Sequence, residues 1–396
     1  MKPVWLVLNI GSSTVKFGLF DVEDARPLVR GLVEGIGLTP RLKASLPDGT
    51  LELRAPGDAR DAKELTLWLL GLLEGRLGPL DLHAAGHRVV HGGPEFNAPV
   101  LLTPEVLEQL ESFCPLAPSH QPYNLAGIRA VEARWPGVPQ IACFDTAFHH
   151  DRPRLAGLYA LPREMADQGI LRYGFHGLSY DHIAQRLPEV LGEAGRGRVI
   201  VAHLGSGASL CALENLRSVD TTMGFSALDG LMMGTRCGQL DPGVILHLLR
   251  QGMTGPEIES VLGRKSGLVG VSGLSPDMRD LLESDRPEAA EAVELFVRSI
   301  IRQVGALAAG MGGLDALVFT AGIGQHAPQI RGRVMTGLGW LGLEADEEAN
   351  AVGRTILSRP GSRIAAAVIP TDEEAVILRA LHRGEASHFA PRGALA

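Results

Sequence analysis

The sequence predicts a mixed α/β protein of two related domains that face a shared cleft, and three observations support this. The chain has 396 residues, which is enough for two ordinary domains with sizeable cores. Its content of 45% hydrophobic and 21% charged residues is typical of a globular protein. One pattern, an apolar strand followed by a glycine- and serine-rich turn, occurs in both halves of the chain.

The first half begins with a predicted β-hairpin. Residues 4–8 are apolar, residues 15–20 are apolar except for Lys16, and residues 9–14 (NIGSST) form the turn between them. The spacing of Leu and Trp predicts a helix over residues 61–76. An apolar strand is predicted to end at residues 87–91, and a short buried strand is predicted at residues 140–145, with a carboxylate at its end.

The second half repeats the hairpin pattern at residues 199–213. Aligning Asn9 with His203 places Gly11 on Gly205 and Ser12 on Ser206. Buried strands are then predicted at residues 315–320 and 366–370, and an apolar helix at residues 375–382. We therefore predict two related domains with a boundary in the polar segment of residues 148–155.

Charge and cysteine content narrow the classes of function. The net charge is −8 and no block of Lys or Arg occurs, which argues against nucleic acid or an anionic membrane as the main partner. The four cysteines are far apart and have no zinc-like spacing, so we expect reduced thiols. The N-terminal apolar run is too short for a signal peptide, and no apolar stretch is long enough to span a membrane. We predict a cytoplasmic protein.

Three glycine-containing turns follow predicted strands, at residues 11–13, 205–207 and 322–324. Backbone N–H groups of such turns can bind phosphate oxygens, because glycine lets the backbone approach a ligand closely. A tight hairpin is the competing interpretation for each turn taken alone. The chain contains no GxxxxGK[ST] motif and no GxGxxG that opens a helix, so P-loop and dinucleotide-binding folds are disfavoured.

Two arginines, Arg88 and Arg236, lie among glycines and apolar residues. A guanidinium in such surroundings suits bidentate binding of a carboxylate or phosphate. A structural arginine that binds loop carbonyls is the alternative for each.

The histidines differ in how well their sequence surroundings fit a functional site. His87 and His91 stand four residues apart in an extended segment, so a structural or solvated role is favoured over a metal pair. The pair His149 and His150 is predicted to lie at the surface. His176, in the glycine-rich and aromatic segment YGFHG, is the best candidate for the site.

Two carboxylates, Asp145 and Glu373, directly follow predicted strands or precede a helix. A magnesium ion bound to nucleotide phosphates needs only one or two protein carboxylates. A helix N-cap or first-turn carboxylate is the competing interpretation, especially for Glu373.

Seven motifs make the chain resemble the acetate kinase family, of the superfamily that contains the sugar kinases and actin. They cover nearly the whole chain and stand at residues 9–16 (NIGSSTVK), 86–93 (GHRVVHGG), 144–149 (FDTAFH), 173–177 (YGFHG), 218–238, 265–279 and 319–324 (FTAGIG). The resemblance implies two RNase H-like (actin-type) domains with a shared cleft. Residues 1–148 and 376–396 would form the acceptor and phosphate side. Residues 149–375 would bind the nucleotide and make the contacts of a homodimer.

The resemblance also implies roles for matching residues. The catalytic residues would be Arg88, Asp145, His176 and Arg236, with transition-state support from His120. The nucleotide would contact Ser12, Lys16, His203, Gly205, Gly207, Asp277, Met278, Arg279, Gly322 and Ile323. Asn9 and Glu373 would serve Mg²⁺, with Mn²⁺ able to replace it. The reaction implied is transfer of the γ-phosphoryl group of ATP to acetate.

A small apolar pocket for the methyl group of acetate is implied at Val90, Ser119, Phe175 and Ala227. The family usually has leucine and proline where this chain has Ser119 and Ala227, so the pocket is predicted to be larger. Other departures are Ser206 for asparagine, Ala208 for serine and Leu178 for threonine. A propionate or other short-chain acyl kinase remains an alternative, and so, more distantly, does a nucleotide-dependent switch protein of the actin type.

Overall fold

The computed structural model describes residues 3–11, 14–36, 39–46, 49–56 and 61–387. The chain divides into two compact units. Unit 1 comprises residues 1–147 and 372–396, and unit 2 comprises residues 148–371. The predicted boundary after residue 148 lies one residue from the first division, whereas the predicted return at residue 376 comes four residues after the second.

Unit 1 is built on an eight-stranded sheet. Its strands are β1 (Pro3–Ile10), β2 (Thr14–Asp21), β3 (Pro27–Glu34), β4 (Arg41–Leu46), β5 (Gly49–Arg54), β6 (Asp81–Val89), β7 (Val100–Leu101) and β8 (Gln140–Phe144). They lie in the order β5-β4-β3-β2-β1-β6-β8-β7. The predicted hairpin is β1 and β2, which pair antiparallel, and β6 pairs parallel with both β1 and β8.

Three helices of the N-terminal segment cover this sheet: α1 (Ala62–Leu77), α2 (Pro104–Ser112) and α3 (Gln121–Arg134). The predicted first helix is confirmed, and it begins after Asp61, whose side chain accepts a hydrogen bond from the Glu64 N–H at 2.9 Å. Leu65 and Leu69 of α1 pack in one core cluster with Leu6 and Leu8 of β1. Burial of these side chains fixes the helix on the sheet.

Unit 2 contains a five-stranded sheet. Its strands are β9 (Arg198–Leu204), β10 (Ala208–Glu214), β11 (Arg217–Thr221), β12 (Ala316–Thr320) and β13 (Ala365–Val368), in the order β11-β10-β9-β12-β13. The order and directions match those of β3-β2-β1-β6-β8 in unit 1, with two antiparallel pairings followed by two parallel ones. Asn9 and His203 each stand one residue before the end of their strand, β1 and β9. The predicted internal repeat and two-domain α/β fold are therefore confirmed.

Ten helices of unit 2 precede the return of the chain to unit 1. They are α4 (Arg163–Asp167), α5 (Gly177–Leu191), α6 (Pro242–Arg250), α7 (Gly255–Arg264), α8 (Gly267–Ser272), α9 (Met278–Leu282), α10 (Pro287–Gly310), α11 (Ala321–His326), α12 (Pro328–Gly337) and α13 (Glu347–Ala351). Within the described ranges, no helix combines the length and apolar content needed to cross a bilayer.

The last helix, α14 (Glu373–Ser387), belongs to unit 1 and begins two residues before the predicted start at 375. It packs against β6 at Gly86, where a β-carbon would lie only 2.2 Å from Ile377 Cγ2. Glycine at this position therefore allows the helix to approach the sheet closely.

Candidate active site

In unit 1, four of the predicted site residues form one polar cluster around Arg88. The guanidinium donates from Nε to Asp145 Oδ1 at 2.9 Å, from Nη2 to Asp145 Oδ2 at 2.5 Å and from Nη1 to Asn9 Oδ1 at 3.0 Å. The Asn9 amide donates to Glu373 Oε2 at 3.3 Å, and that oxygen lies 3.9 Å from Arg88 Nε. The structure therefore brings these four predicted residues together.

Strand order explains this proximity. Asn9 and Arg88 each stand one residue before the end of β1 and β6, and Asp145 directly follows β8. These strands are neighbours and run parallel, so their carboxyl ends meet at one edge of the sheet. Glu373 comes to the same edge because it opens α14.

The Arg88 side chain is 19% exposed and the Asp145 side chain only 1%. Burial acts to lower the pKa of the Arg88 guanidinium, but the charges of Asp145 and Glu373 and the hydrogen bonds to Asp145 raise this pKa above its ordinary value. The guanidinium is therefore firmly charged. Within the described residues, its three hydrogen bonds use three of its five N–H groups, so two N–H donors remain for an anion.

The other predicted residues of unit 1 lie outside this cluster. Lys16 is exposed on β2. Burial raises the pKa of the nearby Glu374 carboxyl, and the charges of Arg30 and, to a smaller extent, Lys16 oppose that rise. Ser12 lies outside the described residues. Val90 is buried, and its N–H donates to Asn124 Oδ1 at 2.9 Å. Ser119 is half-buried in a turn, and His120 precedes α3 as its N-cap residue.

In unit 2, His176 stands immediately before α5 in a left-handed backbone conformation, with φ of 60° and ψ of 24°. Such a conformation costs a non-glycine residue of order 1–3 kcal/mol and persists where the surroundings impose it. Its Nδ1 lies 2.8 Å from Ser209 Oγ, and Ser209 Oγ lies 2.5 Å from the Tyr180 hydroxyl.

His203 stacks on His176. The two ring centroids are 4.1 Å apart and the planes differ by 17°. His203 Nδ1 lies 2.8 Å from Ser179 Oγ. Each imidazole therefore has its Nδ1 bound to a serine hydroxyl, which orients the ring.

The turn between β9 and β10 brings further predicted residues to these histidines. A β-carbon built on Gly207 would lie 3.3 Å from His176 Nε2 and 3.6 Å from Arg236 Nη1, and one built on Gly205 would lie 3.8 Å from His203 Nε2. Glycine at these two positions keeps the space beside the imidazoles and the guanidinium open.

Arg236 is fixed by its own loop. Its Nη1 donates to the Ala227 carbonyl at 3.0 Å, and the N–H of Gly234 donates to the Ser206 carbonyl at 3.0 Å. A β-carbon on Gly234 would also lie 3.2 Å from the Pro276 carbonyl oxygen. The Arg236 loop, the 205–207 turn and the segment before Asp277 are therefore neighbours in unit 2.

The residues predicted to bind adenosine are partly engaged with each other. Asp277 accepts from the Arg279 N–H at 2.9 Å and from Arg279 Nη2 at 2.6 Å, so that it caps α9. The hydrogen bond to Arg279 is the main cause of the lowered pKa of Asp277. Met278 is buried, Gly322 is exposed and Ile323 is half-buried.

The structure corrects one of the three predicted glycine turns. The N–H of Gly11 donates to the Thr14 carbonyl at 2.8 Å, and that of Gly205 to the Gly207 carbonyl at 3.0 Å. These two N–H groups close their own hairpins. Residues 322–324 form no turn but the start of α11, because the chain becomes helical directly after Thr320.

The surface prediction was wrong for His149, which is buried. Its Nδ1 lies 2.8 Å from Ser218 Oγ and its Nε2 lies 3.0 Å from the Phe175 carbonyl oxygen. Burial lowers the pKa of His149 to about 3, so the ring is neutral and can bridge these two groups without the cost of a buried charge. It supports the backbone directly before His176.

His87 has a structural role, which the sequence analysis favoured, together with a solvated role, over a metal pair. It is buried, and its Nε2 lies 2.8 Å from Gln140 Oε1. Burial lowers the pKa of His87 to about 4. The neutral ring therefore cross-links β6 to β8 beneath the Arg88 cluster.

Several supporting residues escaped the sequence-based prediction. In unit 2 these are Ser209, Tyr180, Ser179 and His149. Tyr180 stands four residues after His176, which is the spacing of neighbours on a helix, but Ser209 has no local signal that links it to His176. In unit 1, the Asn124 amide donates to the Ile10 carbonyl at 2.6 Å and so joins α3 to β1.

Comparison with known proteins identifies the family. The family model described as the acetokinase family matches residues 4–379. The chain belongs to the acetokinase family. An acetate kinase from Rhodopseudomonas palustris is 52% identical over 394 residues, which covers 97% of this chain and 98% of that protein. As a member of the acetokinase family the chain is a phosphotransferase, and this sets aside the switch-protein alternative.

Solved structures support the same assignment. A crystal structure of acetate kinase from Porphyromonas gingivalis matches with a TM-score of 0.85 at 38% identity and covers 96% of this chain and 99% of that chain. A propionate kinase from Francisella tularensis matches with a TM-score of 0.89 at 35% identity and covers 95% of this chain and 98% of that chain. The acetokinase-family fold therefore extends over both units.

Proposed function

We propose that this enzyme transfers the γ-phosphoryl group of ATP to acetate, reversibly and by direct in-line transfer, to give acetyl phosphate and ADP. The observation that carries the proposal is the Arg88 cluster. Two N–H donors of a permanently charged guanidinium remain after its bonds to Asp145 and Asn9. A fixed donor pair of this kind suits a carboxylate or phosphoryl oxygen pair.

The proposed phosphoryl transfer requires the protein mainly to position the two substrates and to neutralise negative charge. Acetate is already ionised at neutral pH, so no general base is needed to activate it. In our proposal Arg88 binds the acceptor, while Arg236 and the Nε2 atom of His176 bind oxygens of the transferring phosphoryl group. These two groups stand within 4 Å of one point beside Gly207, so they can act on one phosphoryl group.

The remaining predicted residues receive their roles in the same proposal. His120 supports the transition state, and Val90, Ser119, Phe175 and Ala227 contact the methyl group. The nucleotide is bound by Lys16, His203, Gly205, Gly207, Asp277, Met278, Arg279, Gly322 and Ile323, and Ser12 is included from its motif alone. The apolar burial of Phe175 and Val90 favours contact with a methyl group rather than a polar one.

A magnesium site at Asn9 and Glu373 is part of the proposal, and the donor set fits this ion. Both residues offer oxygen atoms, which Mg²⁺ prefers, and the Glu373 side chain is 20% exposed. The described residues contain no cluster of three or more His, Cys, Asp or Glu that would hold a metal unaided. Phosphate oxygens would therefore complete the site. The bound ion, Mg²⁺ or Mn²⁺, would neutralise charge on the nucleotide phosphates.

We also propose that the enzyme is a homodimer and that helix α6 contributes to the interface. No residue of α6 is buried, and Val244, Leu246 and Leu249 are 39%, 51% and 47% exposed. A run of exposed aliphatic side chains on one helix is typical of a surface that a partner covers. A second copy is the partner that the family resemblance implies.

A cytoplasmic location belongs to the proposal as well. All four cysteines lie in the described part of the chain and are free thiols. Free thiols are usual in a reducing compartment.

Propionate is a second candidate acceptor. The similarity to a propionate kinase from Francisella tularensis favours it, as does the small size of Ser119 and Ala227. Replacing larger side chains by smaller ones removes a steric barrier to one more methylene group.

A hydroxamate assay for acyl phosphate tests the function directly. The purified protein is incubated with ATP, Mg²⁺ and formate, acetate, propionate or butyrate in turn. We expect acyl hydroxamate with acetate and propionate. ATP hydrolysis without acyl phosphate from any acid would refute the proposal.

A further inference from the structure

Hydrogen bonds connect three polar side chains, those of Tyr180, Ser209 and His176, and His176 lies beside the Gly207 turn. The Tyr180 hydroxyl lies 2.5 Å from Ser209 Oγ, and Ser209 Oγ lies 2.8 Å from His176 Nδ1. Tyr180 and Ser209 are both 0% exposed. Water therefore does not compete for these bonds, and the proton positions along the chain are set by the three groups themselves.

The Tyr180 hydroxyl determines the direction of its hydrogen bond to Ser209. Burial raises the pKa of the phenol well above its ordinary value, so the hydroxyl keeps its proton. In the described residues the hydroxyl makes its hydrogen bond to Ser209 Oγ. A buried O–H that does not donate is costly, whereas an oxygen lone pair that is not used costs little. Tyr180 therefore donates to Ser209.

The direction of the hydrogen bond between Ser209 and His176 follows from the single proton of a serine hydroxyl. Ser209 has one proton, and its oxygen makes two side-chain hydrogen bonds in the described residues, to Tyr180 and to His176. If His176 Nδ1 also donated to Ser209, the serine proton would lose its acceptor. With Tyr180 as donor, Ser209 must donate to Nδ1, and Nδ1 is an acceptor without a proton.

We propose that Tyr180 and Ser209 are positioning residues that hold neutral His176 in the tautomer with its proton on Nε2. The hydrogen bond at one imidazole nitrogen decides which nitrogen carries the proton. The Nε2 atom is the one that lies beside the Gly207 turn and Arg236. The inference rests on the proposed function only in one respect, namely that this N–H donates to the transferring phosphoryl group.

The surroundings favour a neutral ring. His203 stacks on His176 with centroids 4.1 Å apart, and two charged imidazoles at that distance would repel each other. Arg236 adds a positive charge near Nε2. A neutral ring has a proton on only one nitrogen, and the placement of that proton decides whether Nε2 donates or accepts.

The test is a measurement on the full-length protein without nucleotide or acetate. Two-bond ¹H–¹⁵N correlation spectra of protein labelled in its histidine rings distinguish the two neutral tautomers, and H176Q identifies the signals of His176. We expect the Nε2–H tautomer in the wild type and a larger fraction of Nδ1–H in Y180F and S209A. A wild-type ring protonated at Nδ1, or an unchanged tautomer in Y180F, would overturn the proposal.

Ser179 supplies a matched control. It is a buried serine that contacts His203 Nδ1 in the same geometry, at 2.8 Å. S179A should alter the His203 signals and leave the tautomer of His176 unchanged. An equal change at His176 would show that the ring stack, not Tyr180 and Ser209, selects the tautomer, and would contradict the proposal.

Kinetics separate this inference from the proposed function. Y180F keeps the packed ring and removes one donor, so we expect kcat to fall about tenfold while KM for acetate and ATP stays within about twofold. An unchanged kcat would overturn the use of the Nε2 proton. If the wild type formed no acyl phosphate, the proposed function would fail, whereas the tautomer would still be decided by the spectra.

Discussion

Arg88 and Asp145 form an ion pair with two hydrogen bonds, in which Nε lies 2.9 Å from Oδ1 and Nη2 lies 2.5 Å from Oδ2. The pair orients the guanidinium edge that carries the remaining N–H donors. Arg198 and Asp315 form the same kind of pair in unit 2, with Nε–Oδ2 and Nη2–Oδ1 distances of 3.0 Å and 2.9 Å. Arg198 opens β9, at the opposite end of that strand from His203.

The first prediction concerns charge at the site. We expect R88A and R236A each to lower kcat by a factor of roughly 10²–10³ or more, because each removes a preorganised positive charge from the transition state. R198A is the matched control and should change stability but leave kcat within about twofold. Near-normal turnover in R88A or R236A, with a native circular dichroism spectrum, would contradict the site assignment.

The second prediction concerns the divalent ion. Activity should disappear in excess EDTA and return with Mg²⁺ or Mn²⁺, because the proposed site depends on nucleotide phosphates for its remaining ligands. E373Q should raise the Mg²⁺ concentration needed for half-maximal activity about tenfold or more. Full activity in EDTA would rule out a metal-dependent transfer, and an unchanged Mg²⁺ requirement in E373Q would place the ion elsewhere.

The third prediction concerns assembly. The native protein should be a dimer at micromolar concentration. L249E should raise the dissociation constant of the dimer at least tenfold, because the proposed interface on α6 would then bury an unpaired charge. Light scattering across a dilution series measures this. V352E, at a position 66% exposed, serves as the control. A monomeric wild type, or dissociation by V352E but not by L249E, would disprove the proposed interface.

The fourth prediction concerns the acceptor. Propionate should be used with kcat/KM within about tenfold of that for acetate, which corresponds to ~1.4 kcal/mol of transition-state discrimination. One buried methylene contributes ~0.8 kcal/mol, so relief of steric exclusion matters more than the added contact. The S119L/A227P double variant should restore discrimination against propionate. Strong discrimination by the wild type would mean that other side chains close the pocket.

The fifth prediction concerns acid stability. Burial lowers the pKa of His87 to about 4, whereas the unfolded chain titrates its histidines near 6.5. Between these values the unfolded state binds the extra proton, so the free energy of unfolding falls as pH falls from about 6.5 to 4. A single such group contributes up to ~1.4 kcal/mol per pH unit.

Denaturant unfolding at pH 7.5, 5.5 and 4.5 measures this slope. H87Q should reduce the pH dependence relative to the wild type, because its neutral amide has no proton to gain. H83Q is the control, since His83 lies exposed on the same strand. Identical slopes for H87Q and the wild type would show that His87 does not couple folding to protonation.

The sequence predicted the strands of both hairpins and the ends of β6 and β8, because apolar periodicity reports which segments are buried. It also singled out Arg88 by its glycine and apolar surroundings and Asp145 by its place after a buried strand, and the carboxyl ends of parallel strands meet at one edge of a sheet. Asn9 was named from the family resemblance alone, and Glu373 reaches this edge by opening α14. The sequence did not predict that α11 begins at Ala321, because a helix start after a buried strand looks like a glycine turn.

Polar partners inside the fold were beyond the sequence. His149 resembles a surface residue by its neighbours, yet two hydrogen bonds, at 2.8 Å and 3.0 Å, allow its neutral ring to be buried. Ser209 meets His176 only because β10 runs beside α5 in the folded unit. Hydrophobic periodicity does not report which buried hydroxyl will contact which imidazole.

Unit 1 is assembled from the two ends of the chain, whereas unit 2 is continuous in sequence. During synthesis on a ribosome, unit 2 can therefore complete its fold before α14 emerges. Until then, the sheet surface at Gly86 lacks Ile377, and Arg88 lacks the carboxylate of Glu373. The full polar cluster around Arg88 can form only after translation has passed Glu373, so a product interrupted before that residue would carry both arginines and yet lack the proposed catalytic arrangement.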